Sequence, residues 1–349
     1  MTGQAEVTLR ASAGPLAQAY DVALLDLDGV VYVGEHAVPR APEALASASA
    51  RGMRLAYVTN NASRTPLAVG DHLRSLGVDA KDDEVVTSAQ AAARLIAEQV
   101  PPGSAVLVVG GEGLVVALAE LGLRAVFSVD EDPVAVVQGF SPDVGWRQLA
   151  EGAFALSRGL PWVASNLDLT IPTPRGRAPG NGTLVGVLAQ ATGRRPVVAG
   201  KPELPLHAEA VRRSGASCPL VVGDRLDTDI EGAVRAGTDS LLVLTGVTTP
   251  AELLRAGAHE RPTYVGADLD SLLVAHPAPQ RAGGPPAGKP SDPGAGSWSC
   301  GGWAASVEDG SLRLTGEGEP LDGLRAACAA AWSQPAPPQD VAALVVLGL

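Results

Sequence analysis

The sequence predicts an α/β fold built on a doubly wound parallel sheet, and three observations carry that expectation. Short runs of Val, Leu and Ala recur along the chain. They are continuously apolar rather than alternating, the pattern of strands covered on both faces. Stretches of helical character separate them, the order that winds strands into a parallel sheet.

Taken in order, strands are expected at 22–25, 55–58, 105–109, 135–137, 162–164, 197–199, 220–222 and 240–244. Helices are expected between them at 66–76, 88–99, 203–214 and 231–236. Residues 277–297 are rich in Pro, Gly and Ser and have little to bury, so they read as a linker. Beyond it, a hairpin turning at 308–310, a helix over 321–333 and a last strand over 341–347 make a small α+β appendage at 298–349. About 50 residues are few for independent stability, so this tail is expected to dock on the main body or on another subunit.

A chain of 349 residues exceeds one hydrophobic core, and 46% hydrophobic residues are ample to fill two or three. The net charge of −12 offers no footprint for a phosphate backbone, and at 3% the aromatics supply no stacking platform, so no nucleic-acid partner is expected. Three cysteines without CxxC spacing indicate neither a disulfide framework nor a zinc site and fit a reducing cytoplasm. The N-terminal residues lack the apolar core of a signal peptide, and no run is long enough to span a bilayer. Only three of the 26 cationic residues are lysines: Lys81, Lys201 and Lys289.

Four strand ends carry chemistry. Asp26-Leu27-Asp28-Gly29 follows the first strand, and in open α/β sheets ligands bind beyond the carboxyl ends of strands. Asp26 can attack an electrophile while Asp28 moves a proton for the leaving group. Asp and Gly also form turns, so the motif alone does not decide. Thr59-Asn60-Asn61 closes the second strand; a hydroxyl beside a backbone N–H makes an anion-binding corner, and equally a cap for the helix near Pro66. Gly200-Lys201-Pro202 sets a lysine, a compact point charge suited to a phosphoryl oxygen, at a strand end. Lys81 and Lys289 read as solvated charges. Gly223-Asp224-Arg225-Leu226-Asp227-Thr228-Asp229 adds three acids, an oxygen-rich set that selects a hard cation such as Mg2+. Asp227 is expected to cap the following helix. No G-x-S-x-G elbow, G-x-G-x-x-G loop or H-E-x-x-H pair is present, which weighs against serine hydrolysis, hydride transfer and zinc catalysis.

The order of Asp26-x-Asp28-Gly29-Val30, Thr59-Asn60-Asn61, Gly200-Lys201-Pro202 and Gly223-Asp224-x-x-x-Thr228-Asp229 resembles the haloacid-dehalogenase-like phosphatases over about residues 15–276. The long insertion before Gly200 resembles the large-cap subfamily that includes nitrophenyl phosphatases. The segments 58–64, 165–168, 179–182 and 223–233, with the appended tail, are similar to its actinobacterial glycerol-phosphatase branch. In that branch the tail has been likened to part of an acetyltransferase; here it is too short for an acetyl-CoA site, and no transferase activity is implied.

The resemblance implies a Rossmann-like core at 1–75 and 196–276, with an inserted α/β cap at 76–195. It implies Asp26 as nucleophile and Asp28 as general acid and then base. Mg2+, with Mn2+ or Co2+ as substitutes, would be held by Asp26, Asp28 through its carbonyl, and Asp224, with Asp229 orienting the shell. Thr59, Asn60 and Lys201 would hold the phosphoryl oxygens. Asn61, Arg64, Asn166 and Asp168 are candidates for meeting substrate or aligning the cap. A carboxylate at Asp28 favours phosphatases over proteins that keep the aspartyl-phosphate. The implied substrate is a small phosphorylated metabolite, glycerol 3-phosphate first, ahead of sugar phosphates, phosphoglycolate, pyridoxal phosphate and aryl phosphates. A phosphomutase or a phosphoaspartate-holding receiver is the alternative, and a homodimer through the cap or the appendage is an expected assembly.

Overall fold

The computed structural model describes residues 9–173, 175–282 and 296–349. Two compact units divide the chain: residues 1–55 with 217–349 form the first, and residues 56–216 the second.

In the first unit, parallel strands Tyr264–Gly266, Asp239–Val243, Pro219–Gly223 and Val22–Leu25 lie side by side in that order. Val22 faces Pro219 and Leu25 faces Val222 across the ladder. All four residues of Val22–Leu25 are buried, which explains why the run is continuously apolar. The register brings Asp26 and Asp224 out of adjacent strands at the same sheet end.

The C-terminal residues belong to this unit. Four antiparallel strands, Gln280–Ala282, Ser297–Cys300, Trp303–Glu308 and Ser311–Gly316, carry the helix Pro320–Trp332. Every residue from Gly323 to Trp332 is buried, and Leu324, Ala327, Ala331 and Trp332 share one apolar cluster with Ile230, Leu242, Leu253 and Val265. The appendage therefore docks on the main body. Arg325 Nη2 donates to the Val265 carbonyl at 2.8 Å, and Trp332 Nε1 to the Leu253 carbonyl at 3.2 Å.

Two expectations for this region are corrected. Gln280–Ala282 falls inside the stretch read as a linker, yet it pairs with Ser297–Cys300; residues 283–295, including Lys289, lie outside the described residues. The last apolar run forms 3-10 turns over Ala342–Leu347 instead of a strand. The neighbouring strand accepts only a single bridge, Ser311 to Asp340, and Val345 and Val346 remain exposed. An apolar run without a partner edge has no ladder to join.

The second unit holds a parallel five-stranded sheet in the order Val197–Val198, Trp162–Ala164, Ala135–Gln138, Ala105–Val109 and Arg124–Val126. Helices Trp146–Ser157 and Asn181–Thr192 pack there, with Ala155, Leu156, Val185 and Leu188 in its core. The end of strand Arg54–Thr59 pairs in parallel with Val85–Thr87. The strand before Lys201 thus lies in a different sheet from the strands before Asp26 and Asp224. Val and Ala runs of equal length look alike in sequence, so sheet membership is a tertiary outcome.

Candidate active site

In the first unit, Asp26 continues strand Val22–Leu25, its N–H bonded to the Val222 carbonyl at 2.8 Å. Gly29, at φ +87°, then reverses the chain; its N–H meets the Tyr32 carbonyl at 2.8 Å. Only glycine takes that backbone without strain. A side chain there would also strike Asp224, since a Cβ would stand 2.5 Å from its Oδ2. Asp28 between them is exposed.

Asp224 ends the adjacent strand and has no exposed surface. Its Oδ2 accepts the Val247 N–H at 2.6 Å, and its carbonyl accepts the Thr248 N–H at 3.1 Å. Gly246 passes so close that a Cβ would overlap the Asp224 carboxylate. Thr245 Oγ1 donates to the Gly29 carbonyl at 2.6 Å, tying this loop to the turn after Asp28. Asp229, 2% exposed, sits in the turn Leu226–Ile230 and accepts the Arg225 N–H at 3.2 Å. Gly223 is needed beside it, because a Cβ would collide with the Asp229 side chain.

The outcome is that carboxylate oxygens of Asp26, Asp224 and Asp229 lie within 4.8 Å of one another. Three like charges this close, two of them buried and Asp26 half-buried, repel unless a cation joins them. An all-oxygen set walled by glycine backbone fits a small hard divalent ion. Asp229, expected behind the metal, is in the same cluster as Asp26 and Asp224. Asp227 does not cap the next helix: its carboxylate is held by the Arg225 guanidinium at 2.8 and 3.0 Å, and Ile230 occupies the cap position without a side-chain bond. Thr245, Gly246 and Val247 were not singled out in the sequence, although a Thr-Gly pair closing a strand beside two acidic strand ends is a readable signal.

In the second unit, Thr59 is buried at its strand end, and its Oγ1 accepts the Asn61 N–H at 3.1 Å. Asn61 Oδ1 collects the Ser63 N–H at 2.9 Å, the Ser63 hydroxyl at 3.0 Å and the Arg64 N–H at 3.2 Å, an Asx turn that folds the loop. The helix Pro66–Ser75 is capped by Thr65, whose Oγ1 accepts the Ala68 N–H, so Thr59 and Asn60 are not its caps. The Asn60 carboxamide takes both polar groups of the Lys201 backbone: Oδ1 accepts its N–H at 2.8 Å and Nδ2 donates to its carbonyl at 3.2 Å. Lys201 Nζ donates to the Val58 carbonyl at 3.1 Å. Asn60 and Lys201, 141 positions apart, are thereby one structural element. Asp168 accepts from Asn60 Nδ2 at 3.3 Å, and Asn166 donates to the Asn60 carbonyl at 2.7 Å, so both hold this loop.

The first unit has a parallel sheet ending in a carboxylate cluster, and the second anchors a lysine beside a threonine corner; these are features expected of a hydrolase, and the chain belongs to the haloacid dehalogenase-like hydrolases. That family's model matches residues 23–124, and a second haloacid-dehalogenase hydrolase model matches 198–272. Residues 300–345 match a GCN5-related N-acetyltransferase-like domain. The chain is 50% identical over 257 residues to the D-glycerol 3-phosphate phosphatase of Mycobacterium tuberculosis, covering 74% of this chain and 72% of that one. It is 38% identical over 257 residues to an acid sugar phosphatase of Staphylococcus aureus, covering 73% and 97%. The crystal structure of the M. tuberculosis glycerol phosphate phosphatase in complex with magnesium superposes with a TM-score of 0.83 at 42% identity, covering 96% of this chain and 98% of that one. The p-nitrophenyl phosphatase of Archaeoglobus fulgidus does so at 0.67 and 31%, covering 73% and 98%.

Proposed function

We propose that this protein is a Mg2+-dependent phosphatase of small phosphomonoesters, with glycerol 3-phosphate the first substrate. The carboxylate cluster at the carboxyl ends of adjacent strands carries the reaction class, and the half-identical glycerol 3-phosphate phosphatase supports the substrate. Asp26, Asp224, Asp229 and the Asp28 carbonyl would hold Mg2+, which would neutralise phosphoryl charge, a role Mn2+ or Co2+ could share.

In this reading an Asp26 oxygen attacks phosphorus in line, forming the P–O bond of an aspartyl-phosphate as the bond to the substrate oxygen breaks. Asp28 gives its proton to the departing alkoxide. It then takes one from the water that attacks phosphorus, which frees Asp26 and releases inorganic phosphate. Thr59, the Asn60 N–H and Lys201 hold the phosphoryl oxygens, with Asn61 folding the loop that presents them. Such electrostatic positioning supplies much of the rate in phosphoryl transfer.

Phosphate release from glycerol 3-phosphate, sugar phosphates, phosphoglycolate, pyridoxal phosphate and nitrophenyl phosphate, with and without a chelator, tests this reading. Release that persists unchanged in Asp26→Asn sinks it; transfer to a second sugar hydroxyl identifies a mutase, and a long-lived phosphoprotein without turnover identifies a receiver. Among the described residues no helix is long and apolar enough to cross a membrane. A cytoplasmic site is part of the proposal, supported by three free thiols at Cys218, Cys300 and Cys328. So is a homodimer, to be read by sedimentation, supported by the exposed Trp146 and Phe154 on one helix.

A further inference from the structure

We propose that Asn166 is a positioning residue for phosphoryl binding, acting through Asn60 to set where the Lys201 amine stands. The inference rests on the reading above, in which Lys201 holds a phosphoryl oxygen.

The chain of contacts starts at Asn181, 1% exposed at the first turn of helix Asn181–Thr192, whose Nδ2 donates to the Asn166 carbonyl at 2.8 Å. Asn166, 5% exposed, donates from Nδ2 to the Asn60 carbonyl at 2.7 Å, while its Oδ1 accepts the Asp168 N–H at 3.1 Å. Ser88, fully buried, donates its hydroxyl to the same Asn60 carbonyl at 2.6 Å. Both lone pairs of that carbonyl are then used, and the peptide after Asn60 is held in one orientation. That peptide carries the Asn61 N–H, bonded to Thr59 Oγ1. The Asn60 side chain extends from the same residue to clamp the Lys201 backbone at both its N–H and its carbonyl.

Close packing surrounds the relay. A Cβ at Gly200 would stand 2.5 Å from Asn60 Oδ1 and 2.6 Å from the Ser165 carbonyl. One at Gly180 or Gly182 would overlap the carbonyls of Asp168 and Leu167. The segment 165–168 is thus wedged between the glycines that start helix Asn181–Thr192 and the glycine before Lys201. Misplacing a reacting or binding group by about 1 Å can cost on the order of 10²-fold in rate, so a relay that fixes Lys201 bears on affinity as well as on fold.

Asn166→Asp is the decisive variant. It keeps the acceptor for the Asp168 N–H and the side-chain shape, and it replaces the donor facing the Asn60 carbonyl by an acceptor. KM for the phosphate ester and the inhibition constant for inorganic phosphate are expected to rise about tenfold or more, with kcat falling less. A purely structural role would lower the melting midpoint without moving phosphate affinity. Ser88→Ala, which removes the second donor, is expected to shift phosphate affinity in the same direction by less, and it serves if Asn166→Asp does not fold. Unchanged KM and phosphate inhibition in a folded variant of either kind overturn the proposal.

A second readout separates this proposal from the phosphatase reading. With only three lysines in the chain, 13C reductive methylation resolves Lys201, assigned through Lys201→Arg. Should the wild type hydrolyse no ester while Asn166→Asp still displaces the Lys201 resonance, the phosphatase reading fails and the relay stands. Esters hydrolysed normally, with the Lys201 resonance identical in Asn166→Asp and wild type, would overturn the relay alone.

Discussion

Asp224 is the most deeply buried acid of the proposed site, with no exposed surface and two more carboxylates beside it. The Val247 N–H holds its carboxylate and the Thr248 N–H its backbone carbonyl, and the glycines at 29 and 246 let its side chain pass. Removing the cation should therefore loosen this end of the sheet as well as stop turnover. Chelation is expected to lower the melting midpoint of the wild type, and to lower that of Asp224→Asn less, by calorimetry with and without Mg2+. For Asp26→Asn, turnover should fall by at least about 10³-fold while the melting midpoint holds, since the group lost is the proposed nucleophile. Most of these residues were legible in sequence because a functional acid after an apolar run is a local pattern. Asp229's place in the cluster was not, since its distance from Asp26 is set by a turn and a neighbouring strand 200 positions away.

The helix Glu112–Glu120 has a glycine as its second residue for a reason outside the helix. A Cβ at Gly113 would stand 2.5 Å from the Ala62 carbonyl and 2.7 Å from that of Arg64. The loop after Thr59 is thus pressed against a helix start, backbone on backbone. Gly113→Ala is expected to destabilise the protein by about 1–3 kcal/mol through overpacking. It should also raise KM, because the carbonyl it displaces belongs to the loop folded by Asn61; a melting curve and a substrate titration check both. The buried strands of the two parallel sheets were mostly readable from apolar runs, whereas the short strands Val85–Thr87, Arg124–Val126 and Tyr264–Gly266, the hairpin Thr170–Pro179 and the helices Ala41–Ala50, Glu112–Glu120, Trp146–Ser157 and Asn181–Thr192 were missed. Three residues are too few for periodicity to show, and pairing with a neighbour made the short runs strands.

At the scale of the molecule, the C-terminal appendage is part of the first unit's core. Leu242, Leu253, Leu254 and Val265 share its cluster, and full burial of such side chains is worth about 1.5–3 kcal/mol each. Against a net stability of about 5–15 kcal/mol for a domain, ending the chain after Ala282 should leave an aggregating protein, checked by solubility and phosphate release. Arg325 extends from the appendage helix to the Val265 carbonyl and stands 3.3 Å from His276 Nδ1, while His276 Nε2 faces the Ser271 carbonyl at 2.7 Å. Burial first, and the Arg325 charge after it, hold the His276 pKa below its ordinary 6.5 despite the bond to Ser271. A depressed folded pKa means the unfolded chain takes the proton first. The contribution is complete above about pH 6.5 and is lost as pH falls toward the folded value. The wild type should lose more urea resistance between pH 7.5 and 5.5 than His276→Gln does.

The sequence by itself determined the class of chemistry, because acids, threonine and lysine closing apolar runs are patterns of a few neighbouring residues. It also determined the α/β class, since continuous runs separated by helices leave few other ways to bury both faces. Only the tertiary structure decided that the strand before Lys201 belongs to a different sheet from those before Asp26 and Asp224. It alone tied Lys201 to Asn60, and it alone folded Pro320–Trp332 into the first unit's core. Each of these depends on which apolar face meets which, or on a hydrogen bond across more than a hundred positions. Burial favours any well-packed partner, and that choice is made by the fit of whole surfaces rather than by any local run of residues.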